Sequence, residues 1–193
     1  MGQDERKELL LPDNISNSLC SDFEELYNNG QFSDVTLKLG KDELKAHKSV
    51  LSARSKVFAA TFEHDMKEKR ENAINIEQMK VETMRDMLRY IYCGKIHDLS
   101  TEEALNLYVA ADRYDLKELR NFCREVILLN ISVDNVCDIA NVADLYDDEL
   151  LVGELKSFLL KNGKEVIKTK NWKAMSHNKA VLCGKMFEWI FSE

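Results

Sequence analysis

Apolar and polar residues alternate with changing spacing along the first part of the chain, and each spacing predicts one kind of element. Between residues 16 and 29 the apolar side chains recur every three or four positions, which is typical of one helical face, and Asn29-Gly30 provides a stop signal. The alternation over residues 35–39 predicts a half-buried strand. A turn at residues 40–42 leads into a second short strand at 43–47, so the sequence predicts a β-hairpin.

Helical spacing returns after the hairpin. Apolar residues between 50 and 62 follow a helical period, with Ser55 as the cap that divides two short helices. A third strand is predicted at residues 73–77. Further helices are predicted at 81–92, closing at Gly94, at 101–112 and at 116–129. A few short strands covered by many helices cannot form a doubly wound core, so the pattern predicts an α+β fold.

The carboxyl-terminal part of the chain carries only helical patterns. One helix follows Ser132, another covers residues 150–159 and ends at Asn162-Gly163, and the last covers 181–190 after an irregular stretch around Trp172. The predicted organisation is therefore a flexible leader or linker at residues 1–15, an α+β domain at 16–130 and an all-helical extension at 131–193 that packs on it.

Composition and charge exclude several classes of partner. The chain has 193 residues and a formal net charge of −7, and its lysines and arginines are scattered among the acids, so no basic stripe is present to bind nucleic acid. Its apolar runs are too short to span a bilayer, and its amino terminus lacks the apolar core of a secretory signal. Five widely spaced cysteines fit a reducing compartment. We expect an intracellular protein, nuclear or cytoplasmic, with no nucleic-acid or membrane partner.

Motifs that would indicate an enzyme are missing from the sequence. It has no glycine-rich phosphate loop, no G-x-S-x-G elbow, no H-E-x-x-H motif and no cysteine pair with zinc-binding spacing. Paired carboxylates such as Glu24-Glu25 or Asp147-Asp148 are expected to be solvated helix surface. A cysteine–histidine nucleophile pair assembled by the fold is left open by one sequence. We therefore expect no catalytic site, no metal and no cofactor, and turn to interaction surfaces.

The clearest candidate for an interaction surface lies on the first helix. Leu19, Phe23 and Leu26 form an apolar stripe on a helix that precedes the rest of the domain. From the pattern alone, this stripe either caps the chain's own core, which is the commoner case, or docks on another molecule.

Longer motifs carry a family resemblance. The segments Phe32-Ser33-Asp34-Val35, Ala46-His47-Lys48, Ala53-Arg54-Ser55, Tyr90-Ile91-Tyr92-Cys93-Gly94 and 110–116 follow one another in an order typical of a BTB/POZ domain. Residues 16–130 resemble that family throughout. The resemblance implies a small sheet with a β-hairpin, flanked by a cluster of helices.

Further segments are similar to the speckle-type POZ protein family, the TD and POZ domain proteins. They are Phe62-Glu63-His64-Asp65-Met66, Ala143-Asp144-Leu145 and Asn171-Trp172-Lys173. In that family a substrate-capturing MATH domain normally precedes the BTB domain, and this sequence contains none. The helices from residue 131 onward resemble the paired-helix extension known as the 3-box or BACK-like region, with a purely stabilising helical cap as the alternative.

The resemblance implies a homodimer whose two-fold interface includes the first helix. Leu19, Phe23 and Leu26 match interface positions, and Val50, in the next helix, is expected to join them. Because a two-fold contact is self-complementary, each of these side chains would be used twice.

Two further sets of residues acquire roles from the resemblance. Asp34 and Lys48 match a charged pair near the bottom of the dimer groove, with a structural ion pair as the alternative. Met66-Lys67-Glu68 matches the hydrophobic-x-Glu motif of cullin-binding members, in which the methionine fills a pocket of the partner and the carboxylate fixes the register. Tyr114 matches a position near the same surface, although an aromatic residue there could equally pack in the core.

The function implied by the resemblance is that of a dimeric substrate adaptor for a cullin-3 RING ubiquitin ligase. The BTB domain and the carboxyl-terminal helices would bind the cullin-3 amino-terminal domain and present protein substrates for ubiquitin transfer. The alternative is a BTB-type transcriptional regulator, whose dimer groove recruits corepressor peptides. Such regulators usually carry zinc fingers, and this sequence has none.

Overall fold

The structure is a computed structural model that describes residues 13–63 and 72–191, with side chains described from residue 18. The chain divides into two compact units, residues 1–97 and 98–193. The elements of the first unit are α1 (Asp13–Asn29), β1 (Val35–Leu39), β2 (Asp42–Ala46), α2 (Lys48–Arg54), α3 (Lys56–Glu63), β3 (Ala73–Asn75) and α4 (Val81–Cys93). Those of the second are α5 (Thr101–Arg113), α6 (Lys117–Leu129), α7 (Val136–Leu145), α8 (Glu149–Val166), α9 (Lys170–Asn178) and α10 (Ala180–Phe191).

The sheet of the first unit has its three strands in the order β2-β1-β3. β1 runs antiparallel to β2 and parallel to β3. The two-residue turn between β1 and β2 starts at Gly40, whose φ of +62° lies in the left-handed region that favours glycine. Val35, Leu37 and Leu39 are all buried on one face of the sheet. The α+β fold and its β-hairpin, both predicted from the sequence, are confirmed.

Helix boundaries in the first unit follow local signals. The hydroxyl of Ser55 accepts a hydrogen bond of 3.2 Å from the N–H of Phe58, and the Ser55 N–H donates to the carbonyl of Leu51 at 2.9 Å. Ser55 therefore ends α2 and caps α3, as the sequence predicted. α4 ends at Gly94, which has a φ of +67° and donates its N–H to the carbonyl of Tyr90 at 2.8 Å.

The second unit is entirely helical in the part that the structure describes. α5 begins with a capping box, in which the side chains of Ser100 and Glu103 each accept a hydrogen bond from the other's backbone N–H. The core of this unit is built from large apolar side chains on α5 to α8. Its fully buried members include Leu107, Tyr108, Leu119, Ile127, Ile139 and Leu151.

The end predicted for the long helix of the second unit is wrong. Asn162-Gly163 was expected to stop it, but α8 continues to Val166. A Cβ atom added at Gly163 would lie 2.6 Å from both γ carbons of Ile190 in α10. The glycine therefore permits a close approach of two helices, and it does not act as a stop signal.

The irregular stretch expected around Trp172 is also a helix. α9 starts after Thr169, whose hydroxyl accepts a hydrogen bond of 3.1 Å from the N–H of Trp172. The indole is buried, with 8% of its surface exposed, so tertiary packing stabilises a helix that its local sequence signals weakly.

Candidate functional site

An open apolar groove of about 660 Å³ lies in the first unit between α1, α2 and the end of α4. Leu19, Phe23 and Leu26 line it from α1, and Val50 lines it from α2. The structure thus brings together the four residues that the resemblance assigned to a dimer interface. Leu19 is 58% exposed and the other three are partly exposed, so the stripe is not closed off within the chain's own core. Of the two alternatives left by the sequence, this geometry favours docking.

Polar contacts and one aromatic pair hold α1 against α4. Glu24 binds both Arg89, at 2.8 Å, and Lys95, at 2.6 Å. Hydrogen bonds from Lys95 and then Arg89 lower the pKa of the Glu24 carboxyl. On the next turn of α1, the ring of Tyr27 lies 5.6 Å from that of Tyr92. These contacts do not involve Leu19, Phe23 or Leu26, so the apolar stripe of α1 is left to line the groove.

A buried histidine and tyrosine form part of the groove lining. His47 Nε2 lies 2.6 Å from the carbonyl oxygen of Gln31, which only accepts, so Nε2 carries the proton. His47 Nδ1 then accepts from the Tyr92 hydroxyl at 2.7 Å, and that oxygen accepts from the backbone N–H of His47 at 2.8 Å. Burial raises the pKa of Tyr92 to about 12. Sequence reasoning missed this pair because its members are 45 residues apart.

The charged pair expected in the groove makes contact through the backbone. Asp34 Oδ1 accepts a hydrogen bond of 2.8 Å from the backbone N–H of Lys48, in the first turn of α2. The Lys48 ammonium lies 2.5 Å from the side-chain oxygen of Asn72 and 5.8 Å from the ring centroid of Phe62. Asp34 therefore caps the start of α2, although it lies 14 residues earlier in the chain. The role of the Asp34–Lys48 pair in a dimer groove stays a prediction.

The residues expected to contact a cullin are only partly described. Met66 and Glu68 lie outside the described residues. Tyr114 follows α5 and donates its N–H to the carbonyl of Ala110 at 3.1 Å. The residue is 7% exposed, and burial raises the pKa of its hydroxyl. So little exposed surface favours the core-packing alternative for Tyr114.

A buried carboxylate in the second unit corrects another expectation. Asp148 was expected on a solvated surface, but its side chain is 4% exposed. It accepts hydrogen bonds from the Tyr108 hydroxyl at 2.5 Å, from Arg124 Nε at 2.8 Å and from the N–H of Leu151 at 3.1 Å, which caps α8. Burial acts to raise the pKa of Asp148, but these hydrogen bonds outweigh it and lower the pKa. The carboxylate is a structural anchor.

Metal-binding groups and the state of the cysteines were the remaining chemistry to locate in residues 13–63 and 72–191. This part of the chain has no group of three or more His, Cys, Asp or Glu placed to hold a metal ion. All five cysteines are free. Burial raises the pKa of Cys123 to about 12 and that of Cys137 to about 11, which makes both thiols unreactive. Among the described helices, none is both long and apolar enough to cross a membrane.

Comparisons with known proteins place these features in a family. The BTB/POZ domain family matches residues 23–131, which is more than half of the chain. TD and POZ domain-containing protein 4 of Mus musculus is 35% identical over 176 residues, which cover 91% of this chain and 48% of the mouse protein. The chain thus spans about half the length of this relative.

Two solved structures have a similar fold. The BTB domain of zebrafish PATZ1 matches with a TM-score of 0.53 and 24% identity, over 64% of this chain and 100% of that domain. The BTB domain of human gigaxonin matches with a TM-score of 0.52 and 23% identity, over 62% of this chain and 97% of that domain. BTB domains mediate dimerisation and protein–protein interaction. The chain therefore belongs to the BTB/POZ domain family of protein-interaction modules.

Proposed function

We propose that this chain is a dimeric substrate adaptor of a cullin-3 RING ubiquitin ligase and performs no chemistry itself. The observation that carries the proposal is the apolar groove, on which Leu19, Phe23, Leu26 and Val50 share one exposed face. A contiguous exposed apolar face of this kind marks an interaction site, and a second copy related by a two-fold axis would cover it.

Dimerisation would suit an adaptor for physical reasons. Two linked copies hold two substrate positions, so a weakly binding substrate with two recognition elements gains avidity without any new contact. The same dimer would present two surfaces to two cullin chains. We therefore expect Leu26→Asp to yield a monomer, because the two-fold axis introduces the buried charge at both copies at once.

The cullin contact is proposed at Met66 and Glu68, with the carboxyl-terminal helices enlarging it. Two findings support this assignment: the chain belongs to the BTB/POZ family, and it is similar to a TD and POZ domain protein over 91% of its length. An unbranched methionine adapts to a pocket on a partner, and a carboxylate beside it fixes the register.

The experiment that tests the proposal is calorimetric titration of the chain with the cullin-3 amino-terminal domain. The comparison protein is a Met66→Asp, Glu68→Lys double variant, first shown by sedimentation to remain dimeric. We expect binding near micromolar or tighter that the double variant loses. A well-folded dimer that does not bind cullin-3 would contradict the adaptor function, and would favour a scaffold whose dimer groove recruits corepressor peptides.

A further inference from the structure

The two sides of the apolar groove carry opposite charges. α1 holds four acidic residues and no basic one, whereas α2 holds two basic residues and no acidic one. Glu24 of α1 is already bound to Arg89 and Lys95. The charges that remain available differ in sign from one wall of the groove to the other.

Asp22 is the acidic residue nearest to the apolar stripe. At about 100° per residue it lies about 40° from Leu26 and about 60° from Leu19 around the helix axis. It therefore borders the stripe on the side away from Glu24, which faces α4. Its side chain is exposed and makes no ion pair within the described residues.

Arg54 is the basic residue of the opposite rim. It lines the groove at the last turn of α2 and is exposed. Its guanidinium carbon lies 5.4 Å from the ring centroid of Tyr90, a cation–π contact that restrains the side chain and, within residues 13–63 and 72–191, leaves its N–H groups without a carboxylate partner.

We infer that Asp22 and Arg54 form a pair of rim charges that selects a second copy of this chain as the occupant of the groove, with Asp22 of each copy facing Arg54 of the other. The inference rests on the proposed dimer and adds to it the residues that decide which partner is accepted. In a two-fold contact one face meets itself, so rims of a single sign would repel their own copy, whereas rims of opposite sign attract it.

The test is a charge reversal on each rim, measured by sedimentation equilibrium at low salt. Asp22→Lys and Arg54→Glu should each weaken homodimerisation by about tenfold or more, because each change places like charges together at two symmetric positions. An equimolar mixture of the two variants should form a heterodimer within about threefold of the wild-type affinity. Salt at about 0.5 M should reduce all these differences, since it screens exposed charges.

Matched controls separate this inference from the proposed dimer. Glu43→Lys and Lys41→Glu make the same charge changes at exposed positions of the β-hairpin outside the groove, and should leave the affinity unchanged. If Leu26→Asp is monomeric while both rim variants dimerise as tightly as the wild type, the rim inference is overturned and the dimer stands. If Leu26→Asp also stays dimeric, both fail. Rim variants that weaken the homodimer without recovering in the mixture would also overturn the inference, since damage to the fold rather than charge would then be responsible.

Discussion

Replacing Tyr92 by phenylalanine removes one oxygen atom from the lining of the groove. That oxygen donates to His47 Nδ1 at 2.7 Å and accepts from the His47 N–H at 2.8 Å. The rest of the ring stays, including its edge-on packing at 5.8 Å against the imidazole. The variant therefore tests the two hydrogen bonds that join the end of α4 to the start of α2.

The expected loss of stability follows from the burial of the partners. His47 is 7% exposed, so its ring nitrogen and its N–H do not readily exchange the lost hydroxyl for water. A net loss of about 0.5–1.5 kcal/mol per hydrogen bond rises to about 1–3 kcal/mol when a buried partner is left unsatisfied. Two such partners are left, so we expect Tyr92→Phe to destabilise the first unit by about 2–6 kcal/mol.

Tyr27→Phe is the matched control. It removes the same atom from the neighbouring ring, but this hydroxyl makes an exposed hydrogen bond of 3.3 Å to the carbonyl of Arg85, so we expect a loss below about 0.5 kcal/mol. Both tryptophans, Trp172 and Trp189, lie in the second unit, so their fluorescence does not report on this change.

Amide hydrogen exchange at Ile76 is the suitable measurement for the first unit, because its N–H donates to the carbonyl of Lys38 at 2.8 Å and neither substitution removes that hydrogen bond. Protection there should fall roughly 30-fold or more in Tyr92→Phe and little in Tyr27→Phe. Equal losses of protection in the two variants would refute the reasoning, because the two hydroxyls would then contribute alike despite their different burial.

Three other outcomes are expected. Asp148→Ala should destabilise the second unit by about 3 kcal/mol in urea unfolding, because it leaves Arg124 and a tyrosine hydroxyl buried without their acceptor; a loss below about 1 kcal/mol would contradict this. Gly163→Ala should cost about 1 kcal/mol, since crowding against Ile190 outweighs the gain in helix propensity, and should become neutral or stabilising in an Ile190→Ala background. The folded-state pKa of Glu24 is lowered, so its stabilising effect is present above the ordinary glutamate pKa of about 4.3 and is lost as the pH falls through the folded-state pKa; the difference in melting temperature between wild type and Glu24→Gln should therefore vanish at low pH.

Elements whose signals lie within a few residues were predicted correctly. The alternation of residues 35–39 and the turn at Gly40 define the hairpin, Ser55 caps α3 through the N–H three residues later, and Gly94 ends α4 with a left-handed backbone. Each of these features depends on its own segment. The sequence contains the whole physical cause, so the pattern is sufficient to find it.

Features that depend on distant partners were missed or misjudged. The Asn162-Gly163 pair resembles a stop signal, but the reason for a glycine there is Ile190, 27 residues further along the chain. Asp148 looked like solvated surface because the groups that bury it, Tyr108 and Arg124, come from two other helices. A single sequence shows neither approach, so residue type alone suggested the commoner role.

The candidate site depends partly on local signals and partly on distant partners. The helical pattern found the stripe of Leu19, Phe23 and Leu26 but favoured packing on the chain's own core. Only the family resemblance added Val50, which lies on a different helix, and the structure shows all four lining one groove. The pattern identifies an amphipathic face correctly, but which molecule covers that face depends on the folded surface around it.

For the groove side chains alone, the free energy gained by burial is similar in size to the free-energy cost of association. Full burial of a leucine, valine or phenylalanine is worth about 1.5–3 kcal/mol. Leu19 is 58% exposed in the single chain and the other three are already mostly covered, so four such residues used twice would yield about 3–10 kcal/mol, against an association cost of about 4–15 kcal/mol. In this range a buried charge from Leu26→Asp would be enough to abolish the proposed dimer. The modest attraction or repulsion proposed between Asp22 and Arg54 would likewise be enough to decide whether a second copy is accepted, because each 1.4 kcal/mol changes the association constant tenfold.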